Sequence, residues 1–293
     1  MVAVRSAKFL RRAFLAWRED RSAQMAASTA YYTVFSLAPL SIIILAIAGM
    51  FLEPGEVEAG LFKQVSAFAG KEGVDALRLM LNASKVSGDS GLTSLIGFGV
   101  LLLGATGLLT ALQDSFNHLW HVHTKKSANS FLIMLAKRAV SLGFLLTLGF
   151  LLVVSLAASA GISFFVLQFG QSVPVITLGL PLVDVLVSFV VITLLFSLLF
   201  HLLPDVVFPW RHALLGGMIA GSLFLVGKTV FGFYLGHKDI LSVYGAAGSI
   251  VGLLLWVNYS AQILFFGMEC TKLSAMRYPA SVKPKSHAEF TKH

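Results

Sequence analysis

The chain has 293 residues, 57% hydrophobic and only 12% charged, where a soluble domain carries roughly 25% charged residues. With a mean hydropathy of +0.83, this excludes an ordinary soluble enzyme and a disordered chain. Lys and Arg outnumber Asp and Glu by 22 to 14, a net charge of +8; in so apolar a chain the surplus reads as membrane orientation rather than nucleic-acid binding.

A bilayer core of ~30 Å needs about 20 helical residues. The amino-terminal arm comes first, with Leu10, Phe14 and Trp17 on one helical face and Arg11, Arg12, Arg18 and Arg21 beside it, the pattern of an interfacial helix on an anionic leaflet. Six apolar runs follow: Ala30–Leu52, Leu92–Leu112, Ala139 to about Leu167, Leu182–Leu203, Ala213–Leu235 and Ala246–Phe266. Asp184 and Lys228 are the charged residues within them. The first run is too long for a signal-peptide core and is expected to stay in the mature protein. Between the first two runs, Leu61, Val65 and Phe68, then Val74, Leu77 and Leu81, have helical spacing and predict two short amphipathic helices, capping the outer mouth or lying in the headgroups. Residues 168–181 are uncharged, with Pro174 and Pro181, and are expected to form a turn dipping into the membrane. After Tyr278 the Lys, Pro and Ser composition predicts a frayed tail.

Outside the runs, sixteen Lys and Arg fall in the amino-terminal arm, the second and fourth connections and the tail, against five in the other connections. The positive-inside rule then puts both termini in the cytoplasm, and six spans satisfy the even number this requires. The expected fold is an all-α polytopic membrane protein with six transmembrane helices. Residues 1–29 form a cytoplasmic interfacial helix, 30–270 the six-span membrane domain with an outer amphipathic insert at 53–91, and 271–293 a flexible cytoplasmic tail.

Charged and polar groups at bilayer depth are where chemistry is sought, because a charge there costs roughly 3 kcal/mol on insertion scales. Lys228 lies about 10 Å inside its span and Asp184 near the outer end of the preceding one; the two either pair or stay apart, with Lys228 snorkelling outward. Asn258, Gln262 and Glu269 fall within about 40° of one another on the last span and make a polar stripe about 16 Å long. It serves either interhelical hydrogen bonding or a water-accessible pathway. In the first span Tyr32, Ser36 and Pro39 stand together; Pro39 frees the carbonyl of Phe35 and bends or breaks the helix, for structural reasons or to present backbone to a substrate. Gly217 with Gly221 and Gly248 with Gly252 are GxxxG pairs that predict close helix packing.

Enzyme motifs are mostly absent: no P-loop, GxSxG or HExxH occurs. His118, His121 and His123 are the one cluster resembling metal ligands, and Lys125 and Lys126 beside them disfavour a cation. The lone Cys270 excludes an internal disulfide and a multi-cysteine metal site. No cofactor, metal or catalytic residue is expected.

In the first span Ala30, Tyr31, Tyr32, Ser36, Leu37, Pro39 and Leu40 fit the pattern A-[FY]-[FY]-x-x-x-S-L-x-P-L. With Pro204, Trp210, Arg211, Gly216, Lys228, Tyr234, Tyr244, Gly245, Leu255, Trp256, Ser260, Gly267 and Glu269, this resembles the YihY/BrkB family of bacterial inner-membrane proteins over about residues 5–275. Asp205, where Asn is more usual, and Asn258 and Tyr259, where Tyr and an aliphatic residue are usual, depart from it. The resemblance implies a six-span inner-membrane protein linked to the envelope and suspected of transport. The family's historical label of ribonuclease fits poorly, since phosphodiester hydrolysis wants clustered carboxylates and histidines around metal ions. The expected function is therefore a transporter or flippase-like protein for an anionic envelope lipid or solute, with membrane lipids and no nucleic acid as partners. A non-catalytic scaffold for envelope assembly is the alternative.

Overall fold

The computed structural model describes residues 2–48, 54–85, 107–125, 174–236 and 248–291. The elements are α1 (Val2–Glu19), α2 (Ser22–Ala48) and α3 (Pro54–Lys85), then a helix over 107–119, α4, running into β1 (Val122–Thr124). Next come α5 (Pro174–Leu202), β2 (Val206–Val207), α6 (Trp210–Gly236) and α7 (Gly248–Ala275), and the chain closes with β3 (Lys283–Pro284) and β4 (Ala288–Phe290). Among the described residues Trp210–Phe231 and Ile250–Ala275 are long and apolar enough to cross a membrane, and Ser188–Leu202 is a shorter apolar helix. Helices thus stand over four of the six expected spans. The span expected at 139–167, and most of that at 92–112, lie outside the described residues.

Close packing of α6 between α5 and α7 follows from its glycines. A Cβ on Gly217 would come 2.7 Å from the Thr193 carbonyl oxygen and onto the Ser197 hydroxyl of α5. One on Gly216 would strike Thr271 and the Gly267 carbonyl of α7. Backbones this near gain van der Waals contact, which drives helix association where lipid is as apolar as the side chains. Aromatic rings fill what remains. Phe116 of α4 stands edge-on to Phe200 of α5 and to Phe265 of α7, each at 5.9 Å, and the Trp120 indole donates to the Met268 sulfur at 3.2 Å.

Three local expectations change. The insert after α2 is helical throughout as α3, yet Leu61, Leu77 and Leu81 share one buried cluster, and the Arg78 guanidinium lies 4.8 Å above the Phe62 ring. Sixteen residues of straight helix would separate that pair by about 24 Å, so α3 doubles back on itself. The midpoint is Gly70, and the two apolar faces cover each other. Residues 174–181 are not a turn: α5 begins at Pro174, a first-turn position where the missing N–H costs nothing.

The third change is the tail, which is not frayed. β3 pairs antiparallel with β2, Val206 opposite Pro284, and β4 with β1, His123 opposite Glu289. Val282 and Ala288 are buried in the main core. A Lys- and Pro-rich segment is held because two short strands elsewhere offer it backbone partners, a long-range fact that composition does not carry. The α1–α2 turn, the end of α4, the α5–α6 connection, the end of α7 and the tail therefore meet at one end of the molecule, rich in Lys and Arg.

Candidate functional site

Two polar constellations are built at that basic end, the first of them on α7. Along α7 the stripe begins with Asn258 and Gln262, both half-buried, the Gln262 amide donating to the Asn258 carbonyl at 2.7 Å. Each residue thus satisfies part of the other within one helix. Further along the same face Glu269 is completely buried. One turn on, the Lys272 ammonium stands 3.8 Å from Glu269 Oε2 and 3.1 Å from Asp20 Oδ2 of the α1–α2 turn. His121, from the turn after α4, brings its Nε2 to 3.4 Å from Lys272 Nζ and 3.9 Å from Asp20 Oδ1.

One ammonium is therefore shared among two carboxyls and an imidazole, drawn from three parts of the chain. Burial alone would raise the Asp20 carboxyl, but the neighbouring Glu269 side chain, the Lys272 ammonium and His121 outweigh it and hold it below its ordinary value of 3.8. Among the described residues the two non-glycine residues with positive φ are both here, Arg21 at 53° beside Asp20 and His121 at 50°. Such backbone persists where surrounding contacts over-determine it. The arrangement couples charges between α7 and the α1–α2 turn.

The second constellation centres on Asp205, buried in the α5–α6 connection. Gln113 and Asn117, one turn apart on α4, donate to its Oδ1 at 3.1 Å and Oδ2 at 2.8 Å, and the Asn117 carbonyl accepts the Asp205 N–H at 2.7 Å. From the tail, His287 Nε2 lies 3.1 Å and Lys285 Nζ 3.9 Å from Oδ1. A carboxylate accepts on both oxygens, whereas an Asn here would turn an NH₂ toward one of these donors. The departure at 205 is thus matched by donors from α4 and by two basic side chains from the tail.

The expected site residues are dispersed. Asn258 and Gln262 touch; Glu269 joins Lys272 and Asp20 instead. Lys228 is exposed on α6, and the Asp184 side chain lies outside the described residues, as does any pairing between them. Tyr32 is exposed and edge-on to Tyr31 at 5.7 Å. Ser36 is buried, its hydroxyl donating to the Thr33 carbonyl at 3.0 Å. Pro39 sits inside the unbroken helix α2, so it does not break it. The three histidines diverge: His118 is exposed, His121 faces Asp20 and Lys272, and His123 Nε2 lies 3.2 Å from Glu289 across the β1–β4 ladder. Among the described residues no three His, Cys, Asp or Glu side chains are grouped to hold a metal ion. Sequence reasoning passed over Asp20, His121 and Lys272 as a unit, and Gln113, Asn117 and His287 altogether. The i, i+4 spacing of Gln113 and Asn117 was the one local signal.

Residues 13–291 match the family model described as virulence factor BrkB. A UPF0761 membrane protein of Azotobacter vinelandii is 29% identical over 275 residues, 92% of this chain and 63% of its own length. One from Stenotrophomonas maltophilia is 28% identical over 300 residues, 98% of this chain and 65% of its own. One from Xanthomonas axonopodis is 30% identical over 278 residues, 92% and 61%. The chain thus spans less than two thirds of these relatives. No solved structure matches it. The chain belongs to the virulence factor BrkB family and is a membrane protein.

Proposed function

We propose that this BrkB-family membrane protein is a multi-pass protein of the bacterial inner membrane, its basic end in the cytoplasm, that moves an anionic envelope lipid or solute as a transporter or flippase. The observation that carries the reading is the α7 stripe. Asn258 and Gln262 are half-buried in an apolar helix, and the same face leads to Glu269 and the shared Lys272 ammonium. Polar groups at membrane depth are expensive and mark substrate or ion routes more often than lipid-facing surface. A substrate headgroup would pass the two amides and reach the charged end. The reading has no catalytic step, no cofactor and no nucleic-acid partner.

The test is leaflet exchange of a fluorescent anionic phospholipid in proteoliposomes. The wild type is expected to exchange it faster than empty vesicles, and Asn258→Ala with Gln262→Ala to lose that gain while melting at the same temperature. Equal exchange in both proteins would remove the stripe from the route. Exchange no faster than in empty vesicles, for lipid and for soluble anions alike, would favour a scaffold for envelope assembly. The folded-back α3, with its own small core, supports that second reading as a presenting surface.

A further inference from the structure

At the basic end a cleft of about 540 Å³ opens between α1 and the last turn of α7, lined by Lys8, Phe9, Arg12, Leu273, Met276 and Arg277. Its three cations come from two elements, and among the described residues no carboxylate is paired with any of them. Lys8 and Arg12 are one turn apart on α1 and point to one side of it. Arg277 lays its guanidinium 5.1 Å above the Phe9 ring. A contact with a ring face needs no carboxylate or carbonyl acceptor, and the guanidinium's N–H fork is the geometry that takes two oxygens of a phosphate. The other half of the lining, Phe9, Leu273 and Met276, is apolar.

Position selects the ligand. The apolar stretch Ile250–Ala275 ends where the cleft begins, so the three cations lie at the depth of lipid headgroups and Leu273 just inside it. On α1 the neighbouring Leu10, Phe14 and Leu15 are exposed, as on a helix lying in the interface. A soluble phosphate compound would use the cations and waste the apolar wall; a phospholipid uses both. We propose that this cleft is a binding site for one anionic phospholipid, its phosphate held by Lys8, Arg12 and Arg277 and the start of its acyl chains by Phe9, Leu273 and Met276. The site lies apart from the stripe of Asn258 and Gln262 and needs α7 to cross a membrane, not that anything be transported.

The experiment is native mass spectrometry of the purified full chain in zwitterionic detergent, titrated with phosphatidylglycerol or phosphatidylcholine. The wild type is expected to retain one phosphatidylglycerol in preference to phosphatidylcholine. Lys8→Gln with Arg12→Gln and Arg277→Gln should weaken it by about tenfold or more. Arg11→Gln with Arg18→Gln and Lys283→Gln removes the same charge outside the cleft and should change it by no more than about twofold. Leu273→Trp crowds the apolar wall of the cleft with every cation in place and should also lower retention, so the proposal stands or falls even if the charge triple folds poorly. Equal weakening by the two triples, undiminished retention in Leu273→Trp, or competition by glycerol phosphate at the lipid's own concentration would overturn it.

Discussion

Asn117 and Asp205 hold each other by two hydrogen bonds, the Asn117 amide donating to Asp205 Oδ2 at 2.8 Å and its carbonyl accepting the Asp205 N–H at 2.7 Å. This two-point contact fixes α4 to the α5–α6 connection and leaves Asp205 Oδ1 for Gln113 and the tail. Replacing Asp205 by Ala leaves several buried donors unserved, each costing about 1–3 kcal/mol. Thermal or denaturant unfolding in detergent should show Asp205→Ala destabilised by at least about 3 kcal/mol. Asp205→Asn should lie between it and the wild type, because one oxygen survives. Wild-type stability in Asp205→Ala would mean the knot is not a structural centre.

The paired tail makes a prediction that a frayed one does not. The Lys285 N–H donates to the Asp205 carbonyl, the Lys125 N–H to that of His287 and the Thr291 N–H to that of His121. In hydrogen exchange these amides are expected to be protected together, since short strands open as a unit. Removing residues 282–293 should expose the Lys125 amide at the same time. Full exchange of 282–291 at the earliest time point would show the strands to be unformed.

What was legible in the sequence was what period and composition encode. The apolar run at 213–235 stands inside α6 and residues 248–266 of the next run inside α7, and Gly217 with Gly221 faces Thr193 of α5 as GxxxG packing requires. The doubling back of α3 was half legible, in the two apolar triplets on either side of Gly70. The constellations were not, because Asp20, His121 and Lys272 are joined across |i−j| of 252 and 151. No local spacing reports such a meeting. The tail misled for the same reason: its polarity is that of a disordered segment, and its partners lie in β1 and β2.

Packing at Gly217 gives a steric prediction. Its Cβ position is 2.7 Å from the Thr193 carbonyl oxygen, backbone that cannot swing away as a side chain would. Gly217→Ala should therefore lower stability by about 1–3 kcal/mol through separation of α5 and α6. Gly55→Ala, where nothing lies within 4 Å, is the matched control and should leave the melting temperature unchanged. Equal melting of the two variants would mean that α5 and α6 do not meet there.

Asp20 gives a prediction in pH whose sign is fixed by its surroundings. Its carboxyl is held below 3.8 in the fold, mainly against burial, by Glu269, Lys272 and His121. Between the folded and the ordinary value the unfolded chain therefore binds more protons, so acid favours unfolding. The stabilisation is full above the ordinary carboxylate value and is lost as pH falls through the folded one. Asp20→Asn cannot lose what it lacks. Unfolding of the two proteins at a series of pH values should show the wild type more stable at neutral pH, with the difference shrinking below about pH 4. Lys272→Met should flatten the wild-type dependence in the same window, since the ammonium that favours the ionised Asp20 is gone. Parallel curves for wild type and Asp20→Asn would mean that Asp20 keeps an ordinary carboxyl and that Lys272 serves Glu269 alone.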